Sequence, residues 1–353
     1  MAPRLRFALV LAQLVGCVVA VSALPGSACA QADGPVLGLY HFVRGTADAE
    51  RAFAFYRDVL GIGLARSPFA GVPSGDAPPL RIASRAEAGS DPLVWNLTNT
   101  SGARFRTVFM HAPNTPFGLE LSEFLDITRS ERPAKPWDPG ASIVEFAVRD
   151  VDAALKAAKS HGAQVVTTGG APASVGDGRA VLVRDPDGNL LELSQASPAM
   201  IARAGPGQIV ATRIGITVSS AASALHFYRD LLHLEVKTSR RSAASELRLY
   251  GVESGELART PIVIPGASDG LELLRFSGLN GVAPPEPFRW RIQDVGSPQL
   301  QFAVRNLDAL MARTQSAGYG FLSVGAKPID RPFGRFVFAI GPDAELVEYV
   351  EPR

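Results

Sequence analysis

Leu39 to Val43 reads as a short strand. After it the apolar positions change to helical spacing, with Ala49, Phe53, Tyr56 and Leu60 falling on one face. Asp48 is placed as the N-cap of that helix and Gly61 as its stop. Turn-rich strands follow, ending on Leu119-Glu120-Leu121-Ser122. The order begins again at Ile143 to Val148, with a helix over 151–161 closed by Gly162 and strands ending on Leu191-Glu192-Leu193. It restarts at Arg213 and at Gln299. The pattern predicts an α+β chain of four modules, each running strand, helix, three strands.

Direct repeats support the same division. Phe146-Ala147-Val148-Arg149-Asp150 returns as Phe302-Ala303-Val304-Arg305-Asn306, and Asp185-Pro186-Asp187-Gly188-Asn189 returns as Gly341-Pro342-Asp343-Ala344-Glu345. Phe55-Tyr56-Arg57-Asp58 matches Phe227-Tyr228-Arg229-Asp230, and Gly118-Leu119-Glu120-Leu121 matches Gly270-Leu271-Glu272-Leu273. The modules are placed at 36–126, 141–196, 209–277 and 297–352. They give a first domain over 31–197, a linker over 198–208 rich in Pro and Gly, and a second domain over 209–353.

The first thirty residues read as a leader. Arg4 and Arg6 precede an apolar run from Phe7 to Leu24, Pro25-Gly26 breaks it, and Ala28-Cys29-Ala30 supplies a small-x-small cleavage site. The expectation is an exported protein, periplasmic or secreted. Leu14-Val15-Gly16-Cys17 offers a lipoprotein anchor at Cys17 as the lesser alternative. Both cysteines, Cys17 and Cys29, lie in this leader, so the mature chain is expected to use no disulfide and no thiolate ligand. Lys and Arg total 35 against 34 Asp and Glu. That balance gives no reason to expect a nucleic-acid partner, and no second apolar run is long enough to span a bilayer. The expected partner is a small molecule, with a homodimer allowed.

The Phe-Tyr-Arg-Asp-x-Leu-Gly helix end, the Phe-x-Val-x-Asp strand-to-helix junction and the Asp-Pro-Asp-Gly-Asn-x-x-Glu hairpin together resemble the vicinal oxygen chelate superfamily. That superfamily includes glyoxalase I, fosfomycin and bleomycin resistance proteins and extradiol dioxygenases. The resemblance implies two cup-shaped mixed β-sheet domains, each made from two βαβββ modules with helices on the outer face. It also implies that metal ligands come from the first and last strands of each module.

Carried over position by position, the resemblance gives His41, Glu120, Ile143 and Glu192 in the first cup, and Arg213, Glu272, Gln299 and Glu348 in the second. His41, Glu120 and Glu192 are then the expected ligands of a divalent metal such as Zn, Fe, Mn or Ni. Glu145, two residues along the same strand face from Ile143, or Glu120 is expected to move a proton. Converging carboxylates need a cation, either a metal or an arginine such as Arg104, Arg106, Arg179 or Arg184. The second cup is expected to hold no metal, since Arg213 stands where the histidine would be, and to grip ligand through Arg213, Glu272, Gln299 and Glu348. The resulting expectation is a metal-dependent lyase or isomerase of glyoxalase type. Extradiol dioxygenase chemistry is disfavoured, and a metal-free protein that sequesters a small ligand is the alternative.

Overall fold

The structure, a computed structural model, describes residues 34–68 and 77–353, so the leader lies outside the described residues. Each module contributes one crossover helix and three long strands, and the first adds a short helix over Pro92–Thr98. In the first these are β1 (Val36–Gly45), α1 (Ala49–Leu60), β2 (Arg104–His111) and β3 (Gly118–Leu125). The second has β4 (Ser142–Val148), α2 (Val151–Ser160), β5 (Gly178–Arg184) and β6 (Leu190–Gln195). The third has β7 (Ile209–Thr217), α3 (Ala221–Leu225) running into a π-helical turn over His226–Leu231, β8 (Glu256–Ile264) and β9 (Ala267–Ser277). The fourth has β10 (Pro298–Val304), α4 (Leu307–Ser316), β11 (Gly334–Ile340) and β12 (Leu346–Pro352). The strand expected straight after each helix is reduced to a two- or three-residue margin strand, such as Gly63–Leu64 and Gln164–Val165.

Local chemistry sets the helix ends. Asp48 caps α1 by accepting from the Arg51 amide, and Gly61 closes it with a left-handed φ of 68°. Asp150 caps α2 in the same way, through the Ala153 amide. In the second half the glycine of the Phe-Tyr-Arg-Asp segment is replaced by His233, which keeps a φ of 56°. The backbone there demands a left-handed residue whatever its side chain.

The sheets do not follow the halves of the sequence. β1 pairs antiparallel with β10, so the first and fourth modules share an eight-stranded sheet. β4 pairs antiparallel with β7, so the second and third share a ten-stranded sheet. The grouping of the first two modules into one cup is therefore corrected. Each module ends its own sheet on a first strand with a free edge, and any other module's first strand can satisfy that edge. The second and third modules are adjacent through the linker, where Pro198–Arg203 forms a short helix, and they pair. The first and last modules are left for each other.

Consecutive modules meet in another way. The Tyr56 hydroxyl of α1 donates to Asp185 at 3.0 Å, and the Tyr228 hydroxyl donates to Glu345 at the same 3.0 Å. Arg51 and the Thr46 hydroxyl both hold Asp187, while the Ser219 amide donates to Asp343. The repeated hairpin thus clamps the start of the preceding module's helix in both halves. One apolar cluster, with Phe42, Phe55, Phe146, Phe227, Phe302 and Tyr349, joins the helix-bearing faces of both sheets.

This interleaving predicts that neither half folds as an isolated monomer. Residues 31–204 and 205–353 expressed separately should aggregate or self-associate, whereas co-expression should give a soluble 1:1 assembly by size-exclusion chromatography. A monomeric, cooperatively melting half would contradict the pairing.

Candidate functional site

On the concave face of the eight-stranded sheet, His41 lies directly across the β1–β10 pair from Gln301, and Gln301 lies level with Glu348 on β12. His41 Nδ1 and Gln301 Oε1 are 2.7 Å apart, and Gln301 Nε2 donates to Glu348 at 2.6 Å. An amide oxygen can only accept, so Nδ1 carries the imidazole proton and Nε2 keeps its lone pair. Glu120 enters the same face from β3, two residues beyond Gly118, which is the strand neighbour of His41. A Cβ on Gly118 would come within 2.2 Å of the imidazole, so this glycine leaves the space that the ring occupies. Gly118-Leu-Glu-Leu is thus a ligand strand with its clearance built in.

The electrostatics here are unusual for a protein interior. Burial drives His41 down to about 4, so its ring is neutral at pH 7. Burial raises Glu120 to about 8, helped by the charge of Glu348, and burial raises Glu348 to about 7. Among the described residues neither carboxylate has an ion pair; Glu120 accepts only from the Ser122 hydroxyl, at 3.2 Å. The acidic and imidazole donors do not by themselves converge on one point, because Gln301 stands between His41 and Glu348 and bonds to both.

The ten-stranded sheet repeats the layout with different residues. Glu145 faces Arg213 across β4–β7, Glu192 lies level with Glu145, and Glu272 comes from β9. Arg259 on β8 donates to Glu272 at 2.7 Å with both side chains buried, and the Tyr250 hydroxyl donates to Glu192 at 3.2 Å. Arg213 lies 3.5 Å from Glu145 and 3.9 Å from Glu272, and the charge of Glu145 raises its pKa. Glu192 is pushed up to about 7 by burial and then by Glu145. This cup carries its own cations.

The expected set of His41, Glu120 and Glu192 is therefore divided between two sheets. His41 and Glu120 stand together, joined by Glu348 from the other half. Glu192 and Glu145 sit with Arg213 and Glu272. Two positions expected from the resemblance are displaced by one strand repeat: Ile143 is core, and Gln299 is buried beside the site with Nε2 unpartnered, while Glu145 and Gln301 hold the positions that match His41. Gln301 was legible, since Phe302 and Phe42 follow Gln301 and His41 in the same way. Arg259 follows no motif, and nothing in the sequence marks it. The proposed arginine counterions are occupied elsewhere: Arg104 with Asp126, Arg106 with Glu50 and Glu123, Arg179 with Asp152, and Arg184 with backbone carbonyls. His111 is exposed at the end of β2, and the three tryptophans each donate to a backbone carbonyl.

Residues 38–193 match the family model described as Glyoxalase/Bleomycin resistance protein/Dioxygenase superfamily. Among solved structures the chain resembles glyoxalase I from Zea mays, at 16% identity and TM-score 0.57, over 89% of this chain and 92% of that one. It also resembles a Bacillus subtilis protein whose dioxygenase name is provisional, at 11% identity and TM-score 0.51, over 90% of this chain and 86% of that one. At such identities the likeness speaks for the fold alone. Among curated proteins no sequence matches the chain.

Two substitutions probe this geometry. Gly118→Ala should drive a methyl into the imidazole and cost about 1–3 kcal/mol by denaturant melts, as overpacking does. Arg259→Met should leave Glu272 buried beside the more distant Arg213 alone and cost about 3–5 kcal/mol, since one member of a buried pair is removed. If Arg259→Met melts like the wild type, the second cup is not held by that ion pair.

Proposed function

We propose, for a chain whose residues 38–193 belong to the Glyoxalase/Bleomycin resistance protein/Dioxygenase superfamily, an exported metal-dependent lyase or isomerase working in the cup of the first and fourth modules. One observation carries the reading. Among the described residues Glu120 and Glu348 share an interior face with no arginine or lysine paired to either, while in the other cup Arg259 pairs with Glu272 and Arg213 with Glu145. One buried and one half-buried carboxylate on the same apolar face without a cation are costly unless they hold protons or a metal takes the protons' place. A neutral imidazole and two carboxylates suit a divalent first-row metal, so His41, Glu120 and Glu348 would hold it, with Gln301 orienting two of them. Such a metal, when bound, polarises a carbonyl or enolate oxygen of the substrate.

The chain's own residues supply the rest. Gln301 fixes the imidazole tautomer and the Glu348 carboxylate together. Glu120 is the part-exposed member of the set, beside the Ser122 hydroxyl. Its carboxyl, raised by burial when no metal is bound, is the donor best placed to take and return a proton between adjacent substrate carbons. Around it the inward positions of β2 and β3 are Phe105, Thr107, Phe109 and Ser122, all partly exposed. The inward positions of β2, β3, β10, β11 and β12 include no lysine or arginine. The favoured substrate is accordingly a small, oxygenated, uncharged molecule. Glu145, paired with Arg213 in the other cup, has no part in this chemistry.

Metal analysis of purified mature protein tests the reading. About one divalent metal per chain is expected, with His41→Ala and Glu348→Gln each losing it while remaining folded. A metal-free protein whose small-ligand binding survives His41→Ala would favour the sequestering alternative instead.

The pH dependence has a defined sign. Between pH 4 and the ordinary histidine value of 6.5, the unfolded chain binds the His41 proton and the folded one does not, so that group adds stability as pH rises. Glu120 does the opposite: from its ordinary 4.5 up to about 8 the folded chain holds the extra proton, and stability falls as pH rises. Above pH 6.5 only the carboxylates act. In EDTA the melting temperature should fall from pH 6.5 to 8, less steeply in Glu120→Gln, and added divalent metal should remove the slope.

A further inference from the structure

A single row of residues crosses the cup face of the eight-stranded sheet: Gly63, His111, Gly118, His41, Gln301 and Glu348. The β2–β3 register, carried one residue past Met110 and Leu119, sets His111 level with Gly118. Alternation along β2 agrees. Val108 and Met110 are buried in the helix-side core, which turns Phe109 and His111 to the cup. His111 is exposed, and among the described residues its ring has no hydrogen bond and no ion pair. Both of its strand neighbours are glycines, so neither supplies a side chain to hem the ring in.

The glycine between the two histidines matters to both. His41 leans across it: a Cβ on Gly118 would lie 2.2 Å from Cδ2 and 2.5 Å from Nε2 of the ring. Nδ1 points the other way, to Gln301. The Nε2 lone pair therefore faces β3 and β2. Two strand spacings of about 4.8 Å separate the backbones of His41 and His111, roughly 10 Å in all. Two imidazoles inclined toward each other over a bare glycine close that gap around one ion, each with a metal–nitrogen bond of about 2 Å. Glu120 lies on the diagonal from His111, a spacing of about 7–8 Å that long side chains bridge. Without an ion these donors do not converge, so binding turns the His111 ring inward, a rotamer change that an exposed side chain makes freely.

The other cup is the control. Its residues matching His41, Gly118 and His111 are Arg213, Gly270 and Val263, and Val263 offers no donor. The cup with an arginine on its first strand has an apolar residue at the margin, and the cup with an imidazole has a second imidazole there. We infer that His111 is a further ligand of the divalent metal, joining the Nε2 of His41 and the Glu120 carboxylate from β2. The assignment rests on the reading of this cup as a metal site. It adds a second neutral nitrogen to the set, a donor that suits zinc, iron and nickel. Because His41 is buried and His111 is not, it also gives the ion an entry path from the β2 margin.

Copper(II) is the probe, because electron spin-echo modulation counts the imidazoles bound to it. The full mature protein loaded with one equivalent should show two coordinated imidazoles, and His111→Ala should show one. In zinc competition against a chelator, His111→Ala should lose more than about 100-fold in affinity, since removing even an outer partner of a ligand costs about 10–100-fold. The metal-free variant should melt with the wild type, as an exposed side chain without partners allows. His111→Gln, closer in size, repeats the count if alanine disturbs the strand. One imidazole in the wild type, two in His111→Ala, or an unchanged zinc affinity would overturn the assignment and leave the site of His41 and Glu120 standing. No bound metal in the wild type would overturn the site itself, and this assignment with it.

Discussion

Everything in this molecule depends on how the first strands of the modules satisfy their free edges. A βαβββ unit leaves its first strand with one row of unpaired amides and carbonyls, and those groups must find partners. Here β1 finds β10 and β4 finds β7, both antiparallel. Antiparallel pairing of equivalent strands sets equivalent residues opposite each other, and so places His41 against Gln301 and Glu145 against Arg213. The chemistry of each cup is decided by that register before any side chain packs. A slip of one residue would turn all four positions onto the helical face.

With the frame fixed, the two cups are the same architecture under different electrostatic regimes. Each brings glutamates from last strands into a low-dielectric interior. In one, Arg259 comes from β8 to meet Glu272, and Arg213 stands between Glu145 and Glu272. In the other, a histidine and a glutamine fill the first-strand positions, and neither supplies a positive charge at neutral pH. The carboxylates there are kept close to the protonated state.

Much of the fold was legible because its signals are local. The helix cap at Asp48, the stop at Gly61, the strand-to-helix junction at Asp150 and the hairpin from Asp185 to Asn189 are short-range chemistry, and each stands where the pattern put it. The four modules follow from repetition. Which modules pair was not legible, because the edge of β1 is satisfied equally well by any first strand and the sequence carries no distance information. That single choice redistributed the site. His41 and Glu120 kept each other's company, Glu192 went to the other sheet, and Glu348 arrived from the far end of the chain. Gln301 could have been found by aligning strands on Phe42, Phe146 and Phe302. Arg259 could not, because a cation on a middle strand has no periodic signature.

The long reach of the β1–β10 pair bears on how the molecule comes into being. His41 and Gln301 are 260 residues apart, so the first module emerges during synthesis with an edge that stays open until nearly the whole chain exists. The inner pair can close earlier, since β4 and β7 are separated by a single module. The sheet with built-in arginines then serves as the early, self-sufficient half of the fold. The sheet bearing His41 is the last to close, and any ion it holds arrives on a nearly finished protein.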